Sequence, residues 1–593
     1  MKALLASSRS WLEENYIALI FALLVGLISV APHLLAWHAL GASYQGIPFF
    51  YSDNEDYYLS RIHEIADGYY LVGSPYFFEY KNILPTALPV GEYFYILLSV
   101  LFHLTLPNTL ILAKFIFPAI LFLLAYHLIR IVSESEEGQE KNIWGAIAGG
   151  LLITLGNGIV DYATLLTHLT HQMSWPVLSM WVRPVNPITG AILLFLFLIF
   201  LWRSTEKKSL CYPFFAAIIL ALSIGYIFTT VIAFAVAGIW MLIQIWGKDL
   251  AAAKRLGLIL LIAVAIDSIY FIQLLPNLSH AGSNLAGRNG LMLTHAPLLN
   301  KVLLLSFSLF FLLFAYVYRV RKINIFAQAK KFSSLSFSLT ILVACMLALN
   351  QQVLTGKTIW PYHFSQYSNI LAIVSLFIAS FMLLRPYVPF LWKIIVTGSI
   401  VVSIALGTWN ASSYVYAMNS FSKLQDYAPL FEWLNTNAKK DCVILISEDE
   451  NAQLSGLIPA FTSCNVYFTA NLSGSVPLER VEHNFFVELR LHGISSSTVD
   501  QYLTDNEFVI KKYFYKDWVE LFDPNKNARI ESMFPTIANK YRVFIKNDFK
   551  EELEKYHIDY LIVRGNLDPS AQSALPGLRK VYSTGSTTIF TLE

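Results

Sequence analysis

The chain has 593 residues, of which 56% are hydrophobic and 14% are charged, and its formal net charge is +2. Soluble domains carry about 25% charged residues, so this composition excludes a soluble globular protein and predicts a polytopic α-helical membrane protein. The near-neutral charge offers no basic surface, so nucleic acid is not an expected partner.

Apolar segments long enough to cross a bilayer as a helix, about 20 residues each, recur along the first 412 residues. The first is too long for a signal-peptide core, and we interpret it as an uncleaved span. The segments predict about 11 transmembrane helices, at 16–37, 109–131, 143–160, 188–202, 212–225, 227–246, 256–275, 298–318, 333–350, 364–384 and 394–412. Residues 1–412 are therefore predicted to form a transmembrane domain.

Positive charge is concentrated in alternate connections between these spans, for example at Arg203, Lys207 and Lys208. Because Lys and Arg mark cytoplasmic loops, the N-terminus is predicted to be cytoplasmic. The loop that follows the first span and the C-terminal region are then predicted to lie outside. This orientation requires the apolar segment 87–106 to lie on the outer membrane surface, since a further span there would put the basic loops outside.

The composition changes after residue 412. An amphipathic helical pattern at 427–440 precedes a short apolar run at 442–447, and a second apolar run follows at 558–563. Apolar runs that alternate with helices predict a small α/β domain with a mostly parallel sheet. Residues 413–593 are therefore predicted to form an extracytoplasmic α/β domain.

The four cysteines show no metal-ligand spacing. Cys211 and Cys345 lie in apolar segments and are interpreted as packing residues. Cys442 and Cys464 lie in the polar C-terminal region, where a disulfide between them is one alternative.

An acidic cluster follows the first span. Asp53, Glu55 and Asp56 fall within four positions and are surrounded by aromatic side chains, including Tyr57. Desolvation at a membrane surface raises a carboxyl pKa, and a nearby cation such as Arg61 lowers it again. Such tuning suits a general base, and the aromatic rings suit a sugar or a lipid head group.

The same stretch has a purely structural interpretation. Ser52 and Glu55 have the spacing of a helix capping box, and acidic residues are favourable in the first turn of a helix. The sequence by itself leaves both interpretations open.

The second outer loop contains a lone cation, Arg183, at the outer start of a predicted span. Its guanidinium can extend to lipid phosphates as a membrane anchor, or it can bind a substrate phosphate. The same loop carries His168 and His171 at a spacing of i and i+3, which is a metal-pair spacing without an evident third ligand.

The fourth outer loop joins two spans yet carries Lys357 and His363, together with an amide-rich stretch at 350–352. Short connections need only turn residues. We therefore interpret Lys357 and His363 as candidate ligands of a monophosphate or diphosphate.

This pattern resembles the GT-C glycosyltransferase superfamily. The stretch Glu55–Arg61 is similar to the acidic, aromatic and Arg motif in the first outer loop of oligosaccharyltransferase catalytic subunits. The run Leu84–Tyr93 resembles the proline-rich interfacial segment of protein mannosyltransferases and aminoarabinose transferases. The Trp-Trp-Asp signature of oligosaccharyltransferases is absent from the sequence, which favours transfer of a single sugar.

The resemblance implies an inverting enzyme that transfers a hexosyl or pentosyl group. The donor would be a polyprenyl-phosphate sugar, and the acceptor a glycan, a lipid or a protein. Asp56, with Asp53 as the alternative, would be the catalytic base. Glu55, Tyr57, Arg61, Arg183, Lys357 and His363 would bind substrate. The expected location is a bacterial or archaeal cytoplasmic membrane.

The resemblance leaves metal use open. No cofactor is required in many monosaccharide transferases of this class, but Mg²⁺ or Mn²⁺ on Asp53, Glu55 and Asp56 is an alternative. A transporter or flippase for lipid-linked glycans is the alternative function. Transporters place charged residues in mid-membrane and often contain inverted repeats, whereas the predicted spans hold few charges, chiefly Lys114 and Asp267.

Overall fold

The computed structural model is mostly helical, with a small sheet in its C-terminal part. It describes residues 2–50, 54–85, 87–134, 142–156, 179–280, 287–322, 329–412, 414–447, 453–469, 476–523 and 525–592. The structural statements below concern these residues.

The helices of the first 412 residues are α1 (Lys2–Leu40), α2 (Glu55–Ala66), α3 (Val90–Phe102), α4 (Leu106–Ser133), α5 (Ile143–Thr154), α6 (Ile188–Glu206), α7 (Cys211–Leu222), α8 (Ile227–Trp246), α9 (Leu250–His280), α10 (Lys301–Ala315), α11 (Ala329–Leu349), α12 (Gln352–Thr355), α13 (Pro361–Leu383) and α14 (Pro389–Ala411). A π-helical turn, Tyr316–Val320, continues α10. Two short strands, β1 (Leu291–Leu293) and β2 (Lys357–Ile359), lie in the connections.

The C-terminal helices are α15 (Tyr414–Leu424), α16 (Ala428–Asn437), α17 (Gln453–Phe461), α18 (Leu478–Leu491), α19 (Val499–Asp505), α20 (Glu507–Phe514), α21 (Trp518–Phe522), α22 (Ala528–Phe544), α23 (Phe549–Glu554) and α24 (Pro569–Ala574). The strands are β3 (Val443–Ser447), β4 (Asn465–Val466), β5 (Tyr560–Arg564), β6 (Leu578–Thr584) and β7 (Thr587–Leu592).

Nine helices in the described part of the chain are long and apolar enough to cross a membrane, and the chain is an integral membrane protein. They correspond to nine of the predicted spans. The predicted spans at 143–160 and 212–225 coincide with shorter apolar helices, Ile143–Thr154 and Cys211–Gly225. The span count of 11 therefore stays a prediction.

The apolar segment 87–106 forms α3, a helix of 13 residues. At 1.5 Å of rise per residue, a helix of this length covers roughly two thirds of a hydrocarbon core of about 30 Å. The length of α3 is thus consistent with a position at the membrane surface. The orientation of the chain remains a prediction.

Local sequence explains where several long helices begin. Proline occupies the first turn of α4, α13 and α14, where its missing N–H breaks no helical hydrogen bond. Asn300 caps α10, since its side-chain oxygen accepts hydrogen bonds from the N–H groups of Val302 (2.9 Å) and Leu303 (3.1 Å). Glycines allow close packing between helices, as where Gly150 of α5 meets the ring of Phe122 in α4.

The chain divides into two compact units. Unit 1 comprises residues 1–53, 97–270 and 294–422, and unit 2 comprises residues 54–96, 271–293 and 423–593. The first outer loop thus belongs to the same unit as the C-terminal region. The predicted domain ranges, 1–412 and 413–593, had placed this loop with the membrane spans and remain predictions.

The sheet of unit 2 has five strands in the order β4-β3-β5-β7-β6. Strand β3 is parallel to β4 and β5, whereas β7 is antiparallel to β5 and β6. The sheet is therefore mixed rather than mostly parallel. The physical reason is the tight turn at Gly585, which joins β6 and β7 as a hairpin and so makes that pair antiparallel.

The C-terminal cysteines form a disulfide, Cys442–Cys464, which joins the residue before β3 to the residue before β4. The other two cysteines are free, Cys211 being exposed and Cys345 buried. One of the alternatives left open by the sequence is thereby resolved.

We expect loss of this disulfide to destabilise unit 2. The bridge closes a loop with a sequence separation of 22 residues, and a loop of this length is worth about 3 kcal/mol through restriction of the unfolded chain. The double variant Cys442→Ser/Cys464→Ser should unfold at a lower temperature than the wild type under non-reducing conditions. Cys211→Ser is the matched control and should unfold like the wild type. Equal unfolding temperatures for the double variant and the control would contradict this account.

Candidate active site

The acidic cluster lies at the beginning of α2. The helix starts at Glu55, and Asn54, with φ of 66°, is its N-cap residue without a side-chain capping hydrogen bond. Because Asn54 is the cap, the capping box between Ser52 and Glu55 is not the arrangement adopted. Asp53 and Ser52 lie outside the described residues. Asp56 is half-buried in the first turn, where the helix dipole favours a carboxylate.

Glu55 differs from Asp56 in its surroundings. Its side chain is buried, with 1% relative exposure, so it lies among protein atoms rather than towards solvent. Within the described part of the chain, no group of three or more His, Cys, Asp or Glu side chains has the geometry of a metal site. The buried position of Glu55 does not fit a shared ion with Asp56. The pair His168 and His171 lies outside the described residues.

Asp56 packs against a glycine of α17. A Cβ atom at Gly456 would collide with the Asp56 carboxylate, so only glycine leaves room for it. The Ser60 hydroxyl donates to the Asp56 carbonyl oxygen (2.8 Å) and lies 3.4 Å from the Gly456 carbonyl oxygen. The small side chains of Ser60 and Gly456 thus let α2 and α17 approach closely and position the carboxylate.

A buried tyrosine, Tyr76, lies within electrostatic range of Asp56. Burial, and next the negative charge of Asp56, hold the pKa of Tyr76 well above its ordinary value. Its hydroxyl therefore stays protonated at neutral pH. The ring of Tyr76 lies 6.0 Å from that of Tyr57, which in turn lies 5.6 Å from Tyr58. The sequence analysis did not select Tyr76, although it stands in an aromatic run, 76–78.

Arg61 is held by a carboxylate that the sequence analysis did not single out. Its Nε donates to Glu92 Oε1 at 2.5 Å, and both side chains are buried. Its guanidinium also lies 3.5 Å from the Tyr57 hydroxyl and above the Tyr57 ring. The contacts of Arg61 therefore place it as a residue that orients Tyr57, with Glu92 as its counter-ion.

A second charged network fixes the other end of α2. The Lys81 ammonium, which is buried, lies 3.1 Å from Glu64 Oε1 and 2.5 Å from Asp441 Oδ1. The Tyr69 hydroxyl donates to the other oxygen of Asp441 at 2.7 Å. Lys81 and Tyr69 lower the pKa of Asp441 against the opposing effect of its burial, so Lys81 is chiefly the counter-ion of Asp441.

Glu64 carries the cost of sharing that cation. Burial raises the pKa of Glu64 to about 7, in spite of Lys81 and with additional repulsion from Asp67 and Asp441. A carboxyl with this pKa exchanges its proton near neutral pH.

The second set of candidate residues lies in unit 1. Arg183 follows the 3₁₀ turn Met180–Val182, and His363 lies in the first turn of α13. The Arg183 guanidinium is close enough to interact electrostatically with the side chains of His363 and Tyr362. The structure therefore brings together two residues that are far apart in the sequence and were predicted to bind phosphate.

His363 has a structural partner that the sequence analysis missed. Its Nδ1 lies 2.9 Å from the hydroxyl of Tyr226, the N-cap residue of α8. Its ring also packs against Phe228 (4.8 Å between centroids) and Tyr362 (4.1 Å). The Gly225-Tyr226 break between two apolar helices was the available signal. We call Arg183, Tyr226 and His363 the Arg183 cluster.

Lys357 is placed differently from these residues. It is exposed, and the hydrogen bonds that the structure gives it are to its backbone: its carbonyl oxygen accepts from Gln351 Nε2 (2.8 Å) and Thr355 Oγ1 (3.0 Å). The preceding Gly356, with φ of 70°, closes the turn against the His295 ring. These contacts do not bring the Lys357 ammonium into the Arg183 cluster.

Comparisons with known proteins give matches among solved structures only. No family model and no curated protein matches the chain. The arabinofuranosyltransferase AftD from Mycobacteria is matched over 98% of this chain and 40% of its own, at 12% identity and a TM-score of 0.49. ArnT from Cupriavidus metallidurans, solved with undecaprenyl phosphate, is matched over 98% of both chains, at 9% identity and a TM-score of 0.45.

A third match is the oligosaccharyltransferase AglB from Archaeoglobus fulgidus, solved with an inhibitory peptide and a dolichol-phosphate. It is matched over 98% of this chain and 75% of its own, at 14% identity and a TM-score of 0.41. The chain resembles the GT-C glycosyltransferases. This agrees with the resemblance inferred from the sequence. Because the TM-scores are below 0.5, the functional argument that follows is built on the residues of this chain.

The elevated pKa of Glu64 leads to a prediction about pH. A carboxyl whose pKa is raised on folding, here from 4.5 to about 7, stabilises the fold fully below pH 4.5. That contribution, roughly 3 kcal/mol at most, is lost as the pH rises to about 7. Glu64→Gln should therefore make unfolding less dependent on pH between 4.5 and 7 and should stabilise the protein at pH 8.

Thermal unfolding of the solubilised protein at pH 5 and pH 8 measures this effect. Glu482→Gln is the control, since Glu482 forms a solvent-accessible ion pair with Lys540 on α22. A Glu64→Gln protein that keeps the wild-type pH dependence would refute the role of Glu64.

Proposed function

We propose that the chain is a membrane glycosyltransferase that moves a sugar from a polyprenyl-phosphate donor to an acceptor hydroxyl. The observation that carries the proposal is the Arg183 cluster. It combines a guanidinium, an imidazole and a phenol at the beginnings of α6, α8 and α13, three helices long and apolar enough to span a membrane. A phosphate attached to a membrane-embedded lipid chain needs such groups at the end of apolar helices.

The chemistry of the cluster suits a phosphate leaving group. Arg donates two parallel hydrogen bonds to phosphate oxygens, and its charge persists at all physiological pH values. Fixed donors stabilise the negative charge that develops on the departing phosphate more effectively than water does. The packing of His363 between Phe228 and Tyr362 restricts its ring, so it needs little reorganisation on binding.

Asp56 is proposed as the general base. Its carboxylate accepts the proton of the acceptor hydroxyl, and the acceptor oxygen forms a bond to the anomeric carbon of the sugar. The bond between that carbon and the phosphate oxygen breaks, and the polyprenyl phosphate leaves. One displacement inverts the anomeric configuration. The proposal covers either a hexosyl or a pentosyl group and a glycan, lipid or protein acceptor on the outer face of the membrane.

The roles of the remaining predicted residues follow from their contacts. Tyr57, oriented by Arg61, offers a ring and a hydroxyl for sugar binding. Lys357 is proposed only as a mobile surface cation that can attract an anionic lipid. A divalent metal is kept as an alternative that includes Asp53 and Asp56, and the first experiment below tests it.

Transport of lipid-linked glycans is the second candidate function, because one observation favours it. Lys114 of α4 lies 2.5 Å from His33 of α1, and both side chains are buried within helices of membrane-spanning length. Ionisable residues at such positions often mark a translocation pathway. Donor-dependent sugar transfer in the purified chain, retained in Lys114→Met, would decide for the enzyme.

Replacement of Asp56 tests the catalytic proposal. Asp56→Asn keeps the shape of the side chain and caps a helix about as well as Asp, but it cannot accept the proton. Loss of a general base slows a reaction by about 10²–10⁴-fold. We expect this loss in the release of polyprenyl phosphate from a synthetic polyprenyl-phosphate sugar added to source membranes, which contain the acceptor.

Asp53→Asn is the paired variant for this experiment. It should do less harm than Asp56→Asn unless a metal is bound, in which case both variants fail and added Mg²⁺ or Mn²⁺ partly restores them. A fully active Asp56→Asn with an inactive Asp53→Asn would move the base to Asp53. Full activity in both variants would remove the acidic cluster from catalysis.

Replacement of the phosphate ligands tests the Arg183 cluster. Losing a hydrogen bond to a charged group costs roughly 1.5–3 kcal/mol, or about a ten- to hundredfold weaker interaction. Arg183→Gln and His363→Asn should raise the KM for the donor by about that factor. Arg203→Gln is the matched control, since Arg203 pairs with Glu206 at the other end of α6. Unchanged donor kinetics in both cluster variants would exclude them from the site.

A further inference from the structure

A cavity in unit 2 is surrounded by positive charge. Its volume is about 60 Å³, and its lining includes three cationic side chains, Arg288, Lys516 and Arg529. The rest of the lining is apolar or aromatic: Leu478, Phe514, Tyr515 and Met533. The described residues that line this cavity include no aspartate or glutamate. The cavity lies where the chain around Arg288, in the connection between α9 and α10, meets the segment between α20 and α21.

Backbone contacts hold Arg288 in place. The Trp518 indole donates to the Arg288 carbonyl oxygen at 2.8 Å. The neighbouring Gly287 approaches so closely that a Cβ atom there would lie 2.5 Å from the Lys516 carbonyl oxygen. These contacts fix the position of Arg288 against the segment 514–518 independently of its side chain.

The Arg288 side chain is buried, with 2% relative exposure, and its guanidinium lies 4.9 Å from the centre of the Tyr515 ring. Burial lowers the pKa of Arg288, against the opposing effect of Tyr515. A buried cation is costly unless an anion or hydrogen-bond acceptors compensate it. An anion in the adjacent cavity would reduce that cost.

The charge of Arg529 is matched by a nearby acid. Its Nε and one terminal nitrogen donate to the two oxygens of Glu520, each at 2.7 Å. It also donates to the Phe514 carbonyl oxygen at 2.6 Å. Arg529 is thereby a rigid wall of the cavity, and the excess positive charge comes from Arg288 and Lys516.

We propose that this cavity binds one oxyanion of phosphate size. Its volume admits a single tetrahedral anion but not a sugar or a lipid chain, and arginine and lysine are the side chains that bind phosphate best. Lys516 is exposed, so the cavity reaches the surface and can receive either free inorganic phosphate or the phosphate group of a larger molecule. The bound anion would link the chain around Arg288 to the helices α20, α21 and α22. This inference is independent of the proposed sugar transfer.

The test measures binding to the full-length protein in detergent. Inorganic phosphate and glycerol phosphate are titrated separately, with sodium chloride at the same ionic strength as the reference. A ligand that binds only the folded state raises the unfolding temperature in a saturable manner. We also expect bound phosphate to slow hydrogen exchange at residues 287–293 and 514–518.

Two lysines provide a matched pair of variants. Lys516→Gln should weaken phosphate binding about tenfold or more, the usual cost of a lost contact between charged groups. Lys526→Gln removes an exposed cation a few residues away that does not line the cavity, and should bind like the wild type. Arg288→Lys keeps the charge but not the forked geometry, and should bind more weakly than the wild type.

Each outcome decides the proposal. Saturable binding of inorganic phosphate supports a free-ion site, and binding of glycerol phosphate alone supports a site for a phosphate carried by a larger molecule. The same binding in Lys516→Gln as in the wild type would mean that the anion binds elsewhere. That result, or the absence of a phosphate effect beyond that of chloride, would overturn the proposal, whether or not Arg288→Lys folds.

Discussion

Lys81 is buried between two carboxylates, Glu64 and Asp441, and this shared cation organises unit 2. Lys81 and Asp441 are 360 residues apart in the chain. Breaking a buried ion pair leaves an uncompensated charge in a poorly solvated place, which costs several kcal/mol. The first outer loop is therefore tied to the residue that immediately precedes Cys442. Backbone contacts reinforce this, since Val466 of β4 donates to the Tyr76 carbonyl oxygen at 2.9 Å.

The position of Asp56 follows from this arrangement. Once α2 is held against α17, the absence of a side chain at Gly456 makes room for the carboxylate. Asp56 also benefits from its place in the first helical turn, where free N–H groups and the helix dipole favour negative charge. A carboxylate that is half-buried yet stabilised in this way can remain ionised and accept a proton. The same helix-end physics favours an anion near His363, which lies in the first turn of α13.

Charge matching separates the residues that bind structure from those available for ligands. Arg61 is paired with Glu92, and Arg529 with Glu520, so each stabilises the fold and positions its neighbours. The Arg183 cluster instead combines a cation with an imidazole and a phenol, which are hydrogen-bonding groups of no fixed negative charge. Three positive charges around a small cavity at Arg288 show the same excess in unit 2. An anion is the natural ligand of either arrangement.

Local pattern predicted most of the helices and several chemical candidates. Long apolar runs located the membrane-length helices, because a helix that is apolar on all sides needs no partner-specific information to be recognised. The apolar runs near 443 and 560 located β3 and β5, but their pairing with the β6–β7 hairpin, which makes the sheet mixed, was not deduced. Unusual polar residues in outer loops identified Asp56, Arg183 and His363.

The sequence by itself determined composition-driven properties: a membrane protein, its apolar helices and its isolated polar loop residues. The tertiary structure decided which of those residues meet. Glu92, Tyr76 and Gly456 were not found as partners of Arg61 and Asp56, and Tyr226 was not found as a partner of His363, because such contacts join segments whose separation carries no periodic signal. Membership of the first outer loop in unit 2 is of the same kind. It depends on burial of Lys81 and on close packing of small side chains, which only the folded chain brings together.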